Sequence, residues 1–375
     1  MRDQANNLAS AINRFLPGLA GKKGISRQQL KVLRALGQCR SPQMGGSVMA
    51  CTDCGGVHYA LHSCRNRHCP QCQGIDKELW VEGRKRELLP VKYFHVVFTV
   101  PHELLELFRF NRETMYNLLF EKAWETLCLF AKNPAFLGAQ LGAIAILHTW
   151  DQQMNFHPHL HFIVPAGGID QNGQWKHSKQ TGSFLFDVKE MSKVFSARFV
   201  KKLRRLKQQG KIQKYVPRDL IKKPWVVYAK QAFGSPHSVV EYLGRYTHRV
   251  AISNARILKV TNTHVTFSWC DRKNGYKKET TTLAGEEFLE RFLDHIVPPY
   301  FRRIRHLGFL STRSKTTALE TARESLGLDA EMPPELSRAQ ILSLRFGDRS
   351  QLRCRHCGGE LILHESYPKQ KDAPT

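Results

Sequence analysis

Apolar residues recur at helical spacing at Leu104, Leu105, Phe108, Met115, Leu118 and Leu119, behind an opening Pro101-His102, and predict one long helix. Residues 1–38 also read as helical. Further helices are expected at 76–89 (charged, ended by Pro90), 188–208 (basic), 236–246 and 288–296, the last stopping before Pro298-Pro299. Strand patterns cover 92–100 (KYFHVVFTV), 141–150, 157–164, 224–230, 250–253 and 264–269, the third closed by Pro165 and Gly167-Gly168. The order mixes α and β without regular βαβ alternation. It predicts an α+β domain with helices against a largely antiparallel sheet. Residues 39–73 lack aliphatic periodicity and are rich in Cys, His, Gly and Arg, as in a small loop-rich module held by metal. After Gly308 the chain becomes basic and polar.

Charge changes this picture. The 375 residues, enough for two or three domains, carry 57 Lys and Arg against 32 Asp and Glu, a formal net charge of +25. A field of that sign concentrates polyanions, and nucleic acid is the commonest. Anionic membrane is the alternative, but no run of about 18 apolar residues occurs and the N-terminus has no signal pattern. The expectation is a cytoplasmic protein, nucleoid-associated when bound. Of the ten cysteines, five lie between Cys51 and Cys72 in C-x-x-C pairs mixed with His, which reads as metal ligation in a reducing compartment rather than disulfides.

Zinc takes four soft ligands in a tetrahedron, and two C-x-x-C knuckles supply them. The expected site is Cys51, Cys54, Cys69 and Cys72. Cys39, His58, His62, Cys64 and His68 are left over, as a second site or as bystanders. The basic loop Cys64-Arg65-Asn66-Arg67-His68 offers Arg65 and Arg67 as guanidinium forks for phosphate or a base edge. The tail sequence Cys354-Arg-His-Cys357-Gly-Gly is half of a zinc ribbon, with His356 and His364, or Cys39 from afar, as possible completions.

The segment from His148 to Val164 carries the most chemistry. Alternate strand residues share a face, so His157, His159 and His161 line one side and Leu160, Phe162 and Val164 the other, as core. Three imidazoles in register are hard to bury without partners, and metal ligation satisfies them. His159 and His161 flank an apolar residue within the regular strand, whereas His157 precedes a proline at its entrance. They are the preferred ligands. A side-chain oxygen from the preceding strand is a natural third, with Gln152 and Asp151 as candidates and His148 a weaker one. Nitrogen and oxygen donors with open positions suit magnesium or manganese held with substrate phosphate, and would accept zinc.

In Ser238-Val-Val-Glu-Tyr242-Leu-Gly-Arg245-Tyr246-Thr-His248-Arg249, two tyrosines stand one helical turn apart on one face. Arg245, His248 and Arg249 are close by, and cations favour phenolate. A phenolate can attack a phosphodiester and store its bond energy as phosphotyrosine.

A His-hydrophobe-His strand followed by a Tyr-x-x-x-Tyr helix resembles the HUH single-strand endonucleases. Together with Cys64-Arg-Asn-Arg-His-Cys-Pro-Gln-Cys-Gln73 and Tyr242-Leu-Gly-Arg-Tyr-Thr-His-Arg-Val-Ala-Ile-Ser-Asn254, it resembles the rolling-circle transposases of the insertion sequence 91 family over roughly residues 30 to 310. The resemblance implies an antiparallel sheet flanked by helices, with His159 and His161 as metal ligands and Gln152 as the third. It also implies Tyr242 and Tyr246 as nucleophiles, with Arg245 and Arg249 beside them on DNA. Structural zinc and catalytic magnesium or manganese are the implied cofactors, and single-stranded element ends the implied partner. No Walker-type loop is visible, so unwinding falls to host replication machinery. The expected division is a helical and zinc-binding DNA-recognition domain over 1–90, the HUH catalytic domain over 91–310 and a basic tail over 311–375. The basic residues Lys201, Lys202, Arg204, Arg205 and Lys207, and the run Arg302-Arg303-Ile-Arg305-His306, are expected to touch phosphate. Two other readings compete: a zinc-dependent nucleic-acid binder without catalysis, and a metal-dependent nuclease without a covalent intermediate.

Overall fold

The computed structural model describes residues 6–19, 21–22, 24–179, 185–232, 239, 244, 250–271, 274–347 and 353–370. The chain opens with a helix pair, α1 (Leu8–Leu19) and α2 (Arg27–Gly37). Ser26 caps α2 by accepting from the Gln29 N–H, while the Gln29 side chain accepts from the Ser26 N–H, a reciprocal box that fixes where the helix begins. Strands β1 (Gly46–Cys51) and β2 (Val57–Leu61) follow, then α3 (Gln73–Lys85) and β3 (Tyr93–Thr99).

The long helix expected after Pro101 is instead a short turn and two helices, α4 (Leu105–Phe110) and α5 (Arg112–Lys132). The break falls at Asn111, with φ −128° and ψ 43°. Its side-chain amide donates to the Leu107 and Gln213 carbonyls and its oxygen accepts from the Gln213 N–H, which ties the break to the backbone of a distant loop.

Strands β4 (Gly142–Trp150) and β5 (Phe156–Pro165) come next, then the small ribbon β6 (Gly167–Ile169) and β7 (Trp175–His177). Helix α6 (Val188–Gln208) is capped by Asp187, whose carboxylate accepts from the Lys189 and Glu190 N–H groups. Strand β8 (Val227–Ala232) precedes β9 (Ile257–Val260), β10 (His264–Asp271) and β11 (Lys277–Ala284), which form a three-stranded sheet. The stretch 250–253, expected as a strand, has no strand structure. Helix α7 (Gly285–Asp294), β12 (Ile304–Gly308), α8 (Lys315–Ser325), α9 (Arg338–Phe346) and β13 (Leu361–Tyr367) complete the chain.

The central sheet has five antiparallel strands in the order β12-β4-β5-β3-β8. An α+β architecture of helices around an antiparallel sheet is therefore present. One face carries Phe94, Val96, Phe98, Ala145, Leu147, Leu160, Phe162 and Val164, buried against α4, α5 and α6. The α6 residues Phe195 and Phe199 pack edge-on against Trp225, which is core and donates its indole N–H to the Leu220 carbonyl. At the opposite face, Tyr93, Ile144, Ile146 and Ile163 join Val239 and the α8 residues Leu319 and Ala322. A second core unites α1 and α2 with β9, β10 and α7.

The tail is built into the N-terminal half. Strand β13 pairs with β1, so that β1 lies between β13 and β2. Helix α9 packs on α3, with Arg345 bridging Glu78 and Glu82. No helix among the described residues is long and apolar enough to cross a membrane.

Candidate metal and catalytic site

The strand register brings the histidines together. His159 on β5 lies directly opposite His148 on β4, and His161 opposite Ile146 and Val97. Directly opposed residues share a face. Three ring nitrogens, one each from His148, His159 and His161, lie within 4.8 Å of one another. The expected pair His159 and His161 thus meets, and its geometric third member is His148, the candidate ranked lower from sequence. A bulge between His148 and Trp150 alters the register at this point. Gln152, the expected third ligand, sits in the β4–β5 turn, where its carbonyl accepts from the Arg256 guanidinium. Asp151 is occupied by the same turn: its carboxylate accepts from the Gln153 and Asn155 N–H groups and from the Asn155 amide.

The protonation pattern suits a cation. His159 donates Nδ1–H to the His157 carbonyl at 2.6 Å, which leaves Nε2 with its lone pair. Burial pushes the His159 imidazole down to about 4, the neighbouring His157 adds to this, and the bond to the His157 carbonyl opposes it. His161 Nδ1 lies 2.8 Å from Nε2 of His95, a buried β3 residue whose ring stacks on it. Imidazoles converging from two adjacent strands fit a divalent metal ion with open positions.

Two cysteine clusters stand apart from the histidines. Cys39, Cys64, Cys69 and Cys72 form one, and Cys51, Cys54, Cys354 and Cys357 the other. The four cysteines expected in one site are thus divided between two, and Cys39 and Cys64 complete the first. The reason is topological. Strand β1 carries Cys51 into the sheet with β13, while Cys69 and Cys72 start α3 beside the C-terminal end of α2. In the first cluster the sulfur separations are 3.6 Å for Cys39–Cys72 and Cys39–Cys69, and 3.7 Å for Cys64–Cys72. A disulfide needs about 2.0 Å, whereas a zinc tetrahedron with Zn–S of about 2.3 Å has edges of about 3.8 Å. The cluster therefore has the dimensions of a tetrathiolate. Hydrogen bonding to Cys64 lowers the Cys39 thiol to about 7, and hydrogen bonding to Cys39 pushes the Cys64 and Cys69 thiols up.

His68, one of the surplus histidines, is structural. Its Nε2 accepts from the Val297 N–H and its Nδ1–H donates to the Asn66 side chain; burial, with Arg303 and Arg67 adding, pushes it well below its ordinary value. His62 bonds the Ser47 hydroxyl.

The basic residues differ in availability. Arg65 is exposed and adopts φ 50°, whereas Arg67 is half-buried and donates to the Phe301 carbonyl at 2.7 Å. Arg303, expected on phosphate, is buried and pushed down to about 10 by burial and Arg67; Arg305 lies over the Phe120 ring. On α6, Lys201, Arg204, Arg205 and Lys207 are exposed.

Tyr242, Tyr246, Arg245 and Arg249 lie outside the described residues. Two neighbours are described. Val239 is buried in the same apolar cluster as Ile146, the residue opposite His161. At Gly244, a Cβ would come within 2.4 Å of Val81 Cγ2 on α3. Close packing that leaves no room for a methyl group explains the glycine between the two tyrosines.

Comparison with known proteins matches these regions. Residues 11–100 match a family described as "Transposase zinc-binding domain", and residues 142–317 one described as "Putative transposase". The chain is 38% identical over 363 residues to "Putative transposase y4qJ" of Sinorhizobium fredii (strain NBRC 101917 / NGR234), covering 92% of this chain and 90% of that one. It is 28% identical over 376 residues to "Transposase for insertion sequence element IS801" of Pseudomonas savastanoi pv. phaseolicola, covering 95% and 88%. No solved structure matches the chain.

Proposed function

This chain belongs to the insertion sequence 91 family of transposases, and from that premise we propose that it cuts and joins single-stranded DNA at element ends through a 5′-phosphotyrosine, in rolling-circle fashion. The observation that carries the reading is the convergence of His148, His159 and His161 on the sheet face whose apolar part receives Val239, three positions before Tyr242 in the chain.

His159 and His161, with His148 as the third donor, would hold the ion. Magnesium or manganese bound there would polarise the scissile phosphate, and nitrogen donors favour manganese of the two. The chain's own residues do the rest. Tyr242 or Tyr246 attacks phosphorus with its phenolic oxygen and gives up its proton. The P–O3′ bond breaks, and the leaving oxygen takes a proton to become a 3′-hydroxyl. Arg245 and Arg249 draw the phenol towards phenolate and neutralise phosphate charge. The second tyrosine, or the freed hydroxyl, then completes strand transfer. Arg65 and the exposed cations of α6 hold the DNA backbone, and host replication machinery separates the strands. The cluster Cys39, Cys64, Cys69 and Cys72 holds a structural zinc that keeps the Arg65 loop rigid.

The test is incubation of the protein with labelled single-stranded element ends and manganese, followed by denaturing electrophoresis. A metal-dependent protein–DNA adduct that disappears in Tyr242→Phe/Tyr246→Phe is expected. Cleavage without an adduct would replace this reading with a metal-dependent nuclease. Binding without cleavage would replace it with a zinc-dependent binder.

A further inference from the structure

We propose that the two ends of the chain close a second structural zinc site, a tetrathiolate of Cys51, Cys54, Cys354 and Cys357. Cys354 and Cys357 lie outside both matched regions, residues 11–100 and 142–317.

The two knuckles have the same sequence form, Cys51-Thr-Asp-Cys54-Gly-Gly and Cys354-Arg-His-Cys357-Gly-Gly. They also have the same backbone. In the first, the Gly55 N–H donates to the Cys51 carbonyl at 3.1 Å and the Cys51 N–H to the Gly56 carbonyl at 2.9 Å. In the second, the Gly358 N–H donates to the Cys354 carbonyl at 2.9 Å and the Cys354 N–H to the Gly359 carbonyl at 2.8 Å. Gly55 and Gly358 take φ of 70° and 78°, a region open to glycine, and the tight turn aims both sulfurs of each knuckle to one side.

The knuckles face one another. Cys51 and Cys357 sulfurs are 3.5 Å apart and Cys54 and Cys354 sulfurs 3.6 Å, too long for disulfides and close to the edge of about 3.8 Å of a zinc tetrathiolate. N–H groups support the charge on sulfur: the His356 N–H donates to Cys354 Sγ and the Gly359 N–H to Cys357 Sγ, both at 3.4 Å. His58 Nε2 lies 3.2 Å from Cys354 Sγ. Cys51 and Cys354 are buried and Cys54 and Cys357 exposed, and a cation would offset the mutual repulsion of four thiolates held this close. His356 and His364, expected to complete the tail knuckle, are not in the cluster. The ion would pin β13 to β1 and so hold the C-terminal segment on the zinc-binding domain.

The full chain, purified under reducing conditions, is assayed for zinc by elemental analysis against protein concentration. With excess manganese present to occupy His148, His159 and His161, two zinc ions per chain are expected, falling to one in Cys354→Ser/Cys357→Ser. The wild type supplies an independent measurement: in the zinc-loaded protein only Cys128 and Cys270 should react with a thiol reagent, since the other eight cysteines are in the clusters. One ion per chain, with Cys354 and Cys357 alkylated as readily as Cys270, would overturn the proposal. Both readouts are independent of DNA cleavage.

Discussion

His95 Nε2 stands 2.8 Å from Nδ1 of His161, with the two rings stacked 11° from parallel. A metal-ligating imidazole commonly donates its other N–H to an outer partner, which fixes the tautomer and raises ligand basicity. His95 is placed to accept from His161, which would direct the lone pair of His161 Nε2 towards a bound ion. His95→Ala should weaken manganese binding about 10–100-fold, with nicking recovered at saturating metal. His95→Gln, which keeps an acceptor, should lose less. Titration calorimetry on all three proteins decides this, and equal affinities would refute the role.

The third ligand separates His148 from Gln152. His148→Ala should reduce manganese affinity by more than the roughly 10–100-fold of an outer-partner loss. Gln152→Ala should change it little, because the described contact of Gln152 is made by its backbone carbonyl. The opposite ranking would restore Gln152 to the coordination sphere.

Gly244→Ala places a methyl group 2.4 Å from Val81 Cγ2. Overpacking of this kind costs about 1–3 kcal/mol, and relief requires the segment carrying both tyrosines to move away from α3. Nicking should fall further than DNA affinity. Val81→Ala in the same chain should restore part of it. If Val81→Ala/Gly244→Ala nicks no better than Gly244→Ala alone, the steric explanation fails.

Acid should weaken the fold through two neutral histidines, His295 buried and His306 half-buried. His295 is fully enclosed, donating to the Met154 carbonyl, and burial holds it at about 4 against that hydrogen bond; burial, with Arg84 and Lys315 adding, holds His306 at about 4 as well. Both values are depressed, so the unfolded chain binds more protons between about 4 and the ordinary 6.5. Stability from these groups is present above about pH 6.5 and is lost as pH falls towards 4. In denaturant titrations across that window, His295→Gln should show a shallower pH slope by about one proton. An unchanged slope would remove His295 from the account.

Much of the site was legible in residue order. Alternation along β5 placed His159 and His161 on one face and Leu160, Phe162 and Val164 in the core, because a strand repeats every two residues whatever surrounds it. Other features depended on partners. Strands β2, β11 and β13 gave no clear signal, because their apolar positions are few or exposed and pairing rather than burial holds them; β1, with Val48 and Met49 buried, is too short between glycines and cysteines to show a period. His148 joined the histidine cluster only because a bulge set the β4–β5 register.

The sequence by itself determined that Cys-x-x-Cys turns present paired thiols, that a histidine strand offers imidazoles on one side, and that the +25 charge calls for a polyanion. These are properties of short segments and of composition. Only the tertiary structure decided which knuckle meets which. Knuckles 51–54 and 354–357 lie some three hundred residues apart, and spacing along a chain carries no record of which strand will lie beside which. That choice follows from the pairing of β13 with β1, a long-range contact formed by the fold as a whole.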